Sequence, residues 1–269
     1  KSATTIVRGS ADITGGANGI FALSASLNGD AETEVDVSGD VEGTNGNGIT
    51  AIAASVDTPV GFDPNDPSTW AGVVGSGKAT VDVTTTDDVT AGNGNGILAV
   101  GIGTGNDVAV DAKDNVEATG GFGVIAGSIG TGGDVNVKTR DVSGTLGGVL
   151  AFNTDGNAKV TTTGNVSSDG LIGVGAIANN GDATVTFSGV IDPPLIGVGA
   201  LAIGNGVATT NTSGTIDANA VGVIALNVGD GQVNVDNSAT VKSSVGALPL
   251  VGVAGVKIGN DNPGLDVNV

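Results

Sequence analysis

Hydrophobic and polar residues alternate along this chain in short runs, and each run begins at a recurring glycine. A Gly-Ile or Gly-Val pair is usually followed by one variable residue and then by alanine. Successive pairs lie 24 to 30 residues apart, except for one interval of 48 residues. Alternation with a period of two is typical of β-strands, so each pair predicts the start of a strand. The nine pairs begin at Gly19, Gly48, Gly96, Gly123, Gly148, Gly173, Gly197, Gly222 and Gly252.

Two shorter elements follow in each repeat. The first is an alternating apolar triplet, as in residues 81–83 and 135–137, and the second is centred on one branched residue, as in 164–166 and 189–191. Glycine, asparagine and aspartate separate these elements, and all three favour turns. Each repeat therefore predicts three short strands joined by tight turns.

A unit of three short strands cannot bury its own apolar face, but stacked copies bury it between them. The sequence therefore predicts an all-β fold, a right-handed parallel β-helix of about ten coils with three short strands and about 25 residues per coil. At a strand spacing of roughly 4.8 Å, the rod would be about 45–50 Å long. We expect residues 1–269 to form a single domain.

Three columns of stacked side chains are expected to fill the interior. The branched residues after the recurring glycine should form the first column: Ile20, Ile49, Ile97, Val124, Val149, Val174, Val198, Val223 and Val253. The alanines two positions later should form the second: Ala22, Ala51, Ala99, Ala126, Ala151, Ala176, Ala200 and Ala225. Valines of the triplets should form the third: Val83, Val110, Val137, Val160, Val185 and Val235. Burial of these columns, at roughly 25 cal/mol per Å², would hold the rod together.

The 48-residue interval is the exception to the repeat. Its excess holds three of the seven prolines and the only tryptophan. We therefore predict that residues 57–77 leave the rod as an inserted loop, and insertions on solenoids often mark binding faces. Asp63, Asp66 and Trp70 are candidates for contact with a sugar or a protein aromatic. The alternative is that Trp70 only folds the loop down onto the rod.

A second anomaly is that positions expected to face water are apolar. The residues directly after the first column include Phe21, Leu98, Ile125, Leu150 and Ile224. Two positions further come Leu23, Ile52, Val100, Phe152, Ile177, Leu201, Leu226 and Val256. Exposed together, the two sets would exceed the apolar patch that a monomer normally shows. Either a bend rotates the second set into the core, or the first set is a lateral interface with a copy of the rod or with a partner.

Polar residues in the turns also recur once per coil. Asn18, Asn47 and Asn95 precede the glycine of the first strand, and such residues should cap turns and form an amide ladder. A second row comprises Asp107, Asp134 and Asp182, with Asn157 in register. This row is a candidate calcium site, because carboxylates are hard oxygen ligands. Residues 102–107 partly resemble the glycine-rich calcium repeat, but the tandem spacing of that repeat is absent.

Composition excludes several classes of function. The chain has no cysteine and no histidine, so disulfides, thiolate sites and imidazole bases are ruled out. With 28 acidic and 9 basic residues, its net charge is -19, which argues against a nucleic-acid partner. No segment is long and apolar enough to predict a transmembrane helix. We find no catalytic constellation, because carboxylate pairs such as Asp87-Asp88 are expected by chance among 24 aspartates.

The order Gly-Ile/Val-x-Ala, then Gly-Asp/Asn-Val/Ala-x-Val, then Gly-x-Val resembles the passenger domains of bacterial autotransporters and related large surface adhesins. The resemblance covers nearly the whole chain outside residues 57–77. It implies export to the outside of the cell, display at the bacterial surface and an adhesive or scaffolding role. The implied partners are a host or neighbouring-cell protein or glycan, or copies of the chain itself.

The sequence therefore favours a secreted structural or adhesive rod that is not an enzyme and needs no cofactor. One alternative is a self-assembling extracellular filament or surface-layer protein. A second is a polysaccharide-degrading enzyme or tailspike, which would carry a long groove with convergent carboxylates.

Overall fold

A computed structural model of the chain describes residues 1–57, 74–192, 194–243 and 251–259, together with the backbone of 267–268. Every regular element in these residues is a β-strand, and none is a helix. The strands wind into a parallel β-solenoid of about 9 turns with ~27 residues per turn. The predicted fold class is thus confirmed, with slightly fewer and slightly longer coils than the spacing indicated.

The second and third strands of the coils belong to one 17-stranded sheet. The second strands are β1 (Ala3–Gly9), β4 (Ala31–Val37), β7 (Ala79–Thr85), β10 (Asp107–Ala112), β13 (Asp134–Thr139), β16 (Asn157–Thr162), β19 (Ala183–Asp192), β21 (Ala208–Asp217), β23 (Val233–Asn237) and β26 (Val267–Asn268). The third strands are β2 (Ile13–Gly15), β5 (Val41–Gly43), β8 (Val89–Ala91), β11 (Val116–Ala118), β14 (Val142–Gly144), β17 (Val166–Ser167) and β24 (Thr240–Lys242). Strands β19 and β21 occupy both positions, because each pairs with a second and a third strand of a neighbouring coil.

The first strands of the coils form a separate nine-stranded sheet. They are β3 (Ile20–Leu27), β6 (Ile49–Val56), β9 (Ile97–Thr104), β12 (Phe122–Thr131), β15 (Gly147–Asn153), β18 (Ile172–Asn179), β20 (Ile196–Ile203), β22 (Val221–Val228) and β25 (Val251–Ile258). All eight pairings in this sheet are parallel. The sheet therefore carries one long, unbroken outer surface.

The first two predicted columns are confirmed residue by residue. The branched column pairs in register from Ile20 to Val253, and the alanine column from Ala22 to Ala225, where it ends opposite Gly255. All members except Val253 are buried. The alternation within each strand thus places one apolar side chain from every coil against its counterparts in the next coils.

The third column is also confirmed, and it is longer than predicted. It starts at Val7, runs through Val35 and the predicted valines, and contains Thr210 between Val185 and Val235. Threonine has nearly the shape of valine, so Thr210 keeps the packing. Its buried hydroxyl has no hydrogen-bond partner.

The recurring glycine has a steric cause. A Cβ placed on Gly148 would overlap the side chain of Val166 and the carbonyl oxygen of Gly173, and a Cβ on Gly19 would lie 2.7 Å from Cγ1 of Val41. Each of these glycines except Gly252, where a Cβ would meet no atom within 4 Å, lets the third strand of its coil pack against the start of the first strand. The Gly-Ile/Val pair therefore lies at a corner where the two sheets meet. At this corner there is no room for a side chain on the first residue of the pair.

The long interval does not disturb the stacking, because β6 pairs directly with β9 across it. Val56, at the end of β6, forms an isolated antiparallel bridge with Val74. Next to it, the backbone N–H of Gly75 donates to the carbonyl oxygen of Ser55 at 2.8 Å. Residues 55–57 and 74–76 are therefore in direct contact on the rod.

Candidate functional site

The outward side chains of the nine-stranded sheet form a continuous apolar surface. In β3, Ile20 and Ala22 are buried, whereas Phe21 is 59% and Leu23 is 47% exposed. The predicted lateral-interface residues all lie in one outward row, which reads Phe21, Thr50, Leu98, Ile125, Leu150, Gly175, Gly199, Ile224 and Ala254. Successive residues of a strand point to opposite faces, so this row faces away from the core.

The second apolar set lies on the same side as the first. Its row reads Leu23, Ile52, Val100, Gly127, Phe152, Ile177, Leu201, Leu226 and Val256. The alternative that a bend turns this set into the core is therefore wrong. The physical reason is that the strands keep their alternation through both rows, as the burial pattern of β3 and β9 shows.

Further apolar residues flank these two rows, and the whole surface is here called the outer apolar face. The apolar flanking residues are Ile102, Ile129, Ile203, Val228 and Ile258 on one side, where the polar Asn179 lies in the same row, and Ile172, Ile196, Val221 and Val251 on the other. In the nine strands as described, none of the outward residues is Asp, Glu, Lys or Arg. Lys257 of β25 falls in an inward row, in register with the buried Asn227, and the other charged residues of the described chain lie on its other faces and in its turns.

The outer apolar face is not flat. Gly175 and Gly199 leave a shallow hollow of about 230 Å³, lined by side chains that include Ile177, Leu201 and Ile224. Elsewhere glycines are covered, because a Cβ at Gly127 would overlap the ring of Phe152. The face thus has ridges and a depression, and both are apolar.

The outer side of the 17-stranded sheet is polar and acidic by contrast. Arg8 binds both carboxylate oxygens of Glu34 through its guanidinium group, at 2.7 and 2.9 Å. Glu34 is in register with Asp82 of the next coil. Burial, and after it the carboxylates of Glu34 and Asp36, raise the pKa of Asp82 above its ordinary value. Asp111 acts in the same direction.

Replacement of Asp82 by asparagine is expected to stabilise the rod at pH 7. The folded state raises the pKa of Asp82, so the protonated side chain of Asp82 contributes to the stability of the rod. This contribution is complete below the ordinary value of 3.8 and is lost as the pH rises through the folded-state pKa. The melting temperature of Asp82→Asn should therefore rise by a few degrees at pH 7 and stay unchanged at pH 3, as followed by circular dichroism. An equal rise in Asp236→Asn, at an exposed position of the same sheet, would show that only the net charge matters.

The predicted asparagine ladder is present at the corner before the nine-stranded sheet. Oδ1 of Asn18 accepts the backbone N–H of Asn47 at 3.0 Å, and Oδ1 of Asn47 accepts that of Asn95 at 2.7 Å. Asn95 in turn accepts the N–H of Phe122 at 2.9 Å. Each side chain therefore satisfies a backbone donor of the next coil, which is the capping role expected for asparagine in turns.

The aspartate row forms a comparable ladder at the corner before β10, β13 and β16. Oδ1 of Asp107 accepts the N–H of Asp134 at 3.2 Å, and the amide of Asn157 donates to Oδ1 of Asp134 at 2.9 Å. Asn157 then accepts the N–H of Asp182, and Asp182 that of Val207, both at 2.8 Å. The row thus joins consecutive coils through hydrogen bonds.

Calcium binding by Asp107, Asp134 and Asp182 stays a prediction. One oxygen of each carboxylate is engaged within the ladder, and the other oxygen of Asp107 accepts from Nζ of Lys78 at 2.6 Å. Within the described ranges, no group of three or more His, Cys, Asp or Glu side chains is arranged to hold a metal ion. The geometry favours the capping role of the row.

Several buried polar residues were not singled out by the sequence, and Asn106 is one of them. Asn106 is fully buried, accepts the N–H of Ala79 at 3.1 Å and donates to the carbonyl oxygens of Gly103 and Ile129 at 3.0 and 2.9 Å. It thereby links three successive coils. Its position in a Gly-Asn-Asp turn gave no sign of this, because most turn asparagines are exposed.

Asp63, Asp66 and Trp70, the candidate contact residues of the insertion, lie outside the described residues. Comparison of the chain with protein-family models, curated proteins and solved structures finds no match. The class of this protein is therefore defined by its fold alone. The fold is a parallel β-solenoid built from sequence repeats. Nowhere in the described residues is there a helix that is long and apolar enough to cross a membrane.

Proposed function

We propose that this chain forms an extracellular rod, displayed at a bacterial surface, with a structural or adhesive role toward a host protein, a glycan or a neighbouring cell. The observation that carries the proposal is the uniformity of the rod. Its columns of branched residues and alanine continue from coil to coil, so that the fold presents long, regular surfaces. Such surfaces suit contact with extended partners better than conversion of a small substrate.

Composition supports the extracellular part of this proposal. The chain lacks cysteine and methionine, the two residues most readily oxidised outside the cell. Its net charge of -19 favours solubility and disfavours nonspecific binding to anionic surfaces. The resemblance of the repeat to autotransporter passengers points in the same direction.

Attachment of coated beads tests the adhesive role. Beads that carry the folded chain should attach to cell layers or immobilised glycans several-fold more than beads that carry Val160→Asp. Val160 is fully buried, so an unpaired carboxylate there should unfold the coils around it. Equal attachment of the two coatings would contradict adhesion. A rod-like scattering profile of the wild-type chain would then support a structural role alone.

A self-assembling filament or surface layer is the second candidate function. The outer apolar face favours it, because a monomer rarely exposes a contiguous apolar surface of this extent. Under this candidate, the partners of the rod are copies of the same chain.

A further inference from the structure

We propose that two copies of the chain pair through the outer apolar face and form a closed double rod. The pairing rests on the self-association that the second candidate function invokes, and it differs from a filament because it stops at two copies. Three observations support a second copy as the occupant of this face: its area, its repeat spacing and the distribution of charge around it.

The area of the face matches what a stable pair needs. Nine strands spaced by roughly 4.8 Å extend about 43 Å along the rod, and eight residues of strand extend about 26 Å across it. The face therefore covers about 1,000 Å², compared with about 800 Å² per partner in a standard specific interface. Exposed and half-buried apolar side chains lie on it from Phe21 in β3 to Ile258 in β25, whereas Thr50, in the same row as Phe21, is buried.

The spacing of the ridges makes the face complementary to itself. Outward side chains form rows parallel to the rod axis, repeated once per coil and separated by two residues across the strand. A second copy offers rows with the same two spacings, so that the ridges of one face can lie in the grooves of the other. This is the arrangement by which two apolar sheets pack in a sandwich, roughly 10 Å apart.

The distribution of charge limits the assembly to a pair. Each chain carries a net charge of -19, and the outward residues described in the nine-stranded sheet are uncharged. Pairing through this face leaves the acidic surfaces on the outside, where they repel further copies. A contact that uses the same face on both partners is also closed by symmetry, because neither copy keeps a free equivalent face.

Sedimentation velocity with single substitutions tests the pairing. The wild-type chain should sediment as a species of twice 25.5 kDa, and added NaCl should tighten the pair because it screens the repulsion between the two acidic chains. Ile177→Asp should weaken pairing by about 100-fold or more, since it places carboxylates in an apolar interface. Val190→Asp is the matched control, because Val190 is 46% exposed on the other sheet, compared with 37% for Ile177.

Retained pairing in Val190→Asp together with its loss in Ile177→Asp would support the proposal. Unchanged circular dichroism must accompany the loss, and Ile177→Thr, a milder change, should weaken pairing to a smaller degree. A wild-type monomer at roughly 100 µM, far above the dissociation constants usual for interfaces of this size, would overturn the proposal. Open-ended larger species, or binding of the wild-type chain to phosphatidylcholine vesicles in place of pairing, would also overturn it.

The same variants separate this proposal from the attachment role. If Ile177→Asp is monomeric and its beads attach as the wild type does, adhesion does not require the pair. If the wild type pairs but its beads fail to attach, adhesion fails and the pairing stands.

Discussion

Phe187→Ala is expected to destabilise the rod by about 3–5 kcal/mol, the range found for truncation of a fully buried phenylalanine. Phe187 is 1% exposed and is the largest of the fully buried side chains in the described part of the chain. It stacks between Thr162 and Thr212 of the adjacent coils. Because these neighbours are small and held in strands, they cannot move in to fill the space.

Urea denaturation followed by circular dichroism measures this loss, with Val190→Ala as the control. Val190 lies in the same strand, β19, but is 46% exposed, so its truncation should change the free energy of unfolding by no more than about 0.5 kcal/mol. An apolar side chain is thus removed once from the core and once from the surface of one strand. Equal losses in the two variants would show that Phe187 does not fill the core.

Gly148→Val is expected to destabilise the rod by about 3 kcal/mol or more, at the upper end of the overpacking effects seen in well-packed cores. The added Cβ would overlap Cγ1 of Val166 and the carbonyl oxygen of Gly173. One of these groups is the core side chain of a third strand, and the other is backbone of the next coil. Relief of the overlap therefore requires separation of two coils.

The matched control for this substitution is Gly16→Val. Gly16 is exposed, and a Cβ placed there would meet no atom within 4 Å. Denaturation of the two variants under the same conditions should show a large loss for Gly148→Val and a small change for Gly16→Val. A comparable loss of stability in both variants would mean that the backbone preference of valine, and not steric overlap at the corner, causes the loss.

Sequence reasoning predicted the interior of this rod well. The first column from Ile20 to Val253 and the second from Ala22 to Ala225 match the predicted members without exception. This was possible because a period of two within a strand and a near-constant interval between coils leave few arrangements in which every apolar face is buried. The structure then supplied the steric cause of the glycine at every corner except that of Gly252.

The orientation of the second apolar set could not be predicted in the same way. Leu23 and Ile177 carry side chains as apolar as those of the core, so hydrophobicity did not distinguish inside from outside. Only the unbroken alternation of the strands shows that both sets face outward. Sequence patterns locate a strand more readily than they reveal which of two apolar faces is covered.

The merging of strands at two coils was also not predicted. In most coils a turn separates the second strand from the third, whereas β19 and β21 continue through both positions. Gly189 and Gly214 lie within these strands at φ values of 149° and 94°, a region that favours glycine. The sequence showed glycine at these positions, but glycine is equally compatible with a turn and with a bend inside a strand.

The bridge between Val56 and Val74 marks a place where foreign protein sequence could be carried. Gly75 donates to Ser55 beside this bridge, so residues 55 and 75 lie close together, and β6 and β9 pair in register. A guest domain whose two termini lie close together would thus impose no strain on the coils above and below. The rod would hold such a guest at a fixed position along its axis.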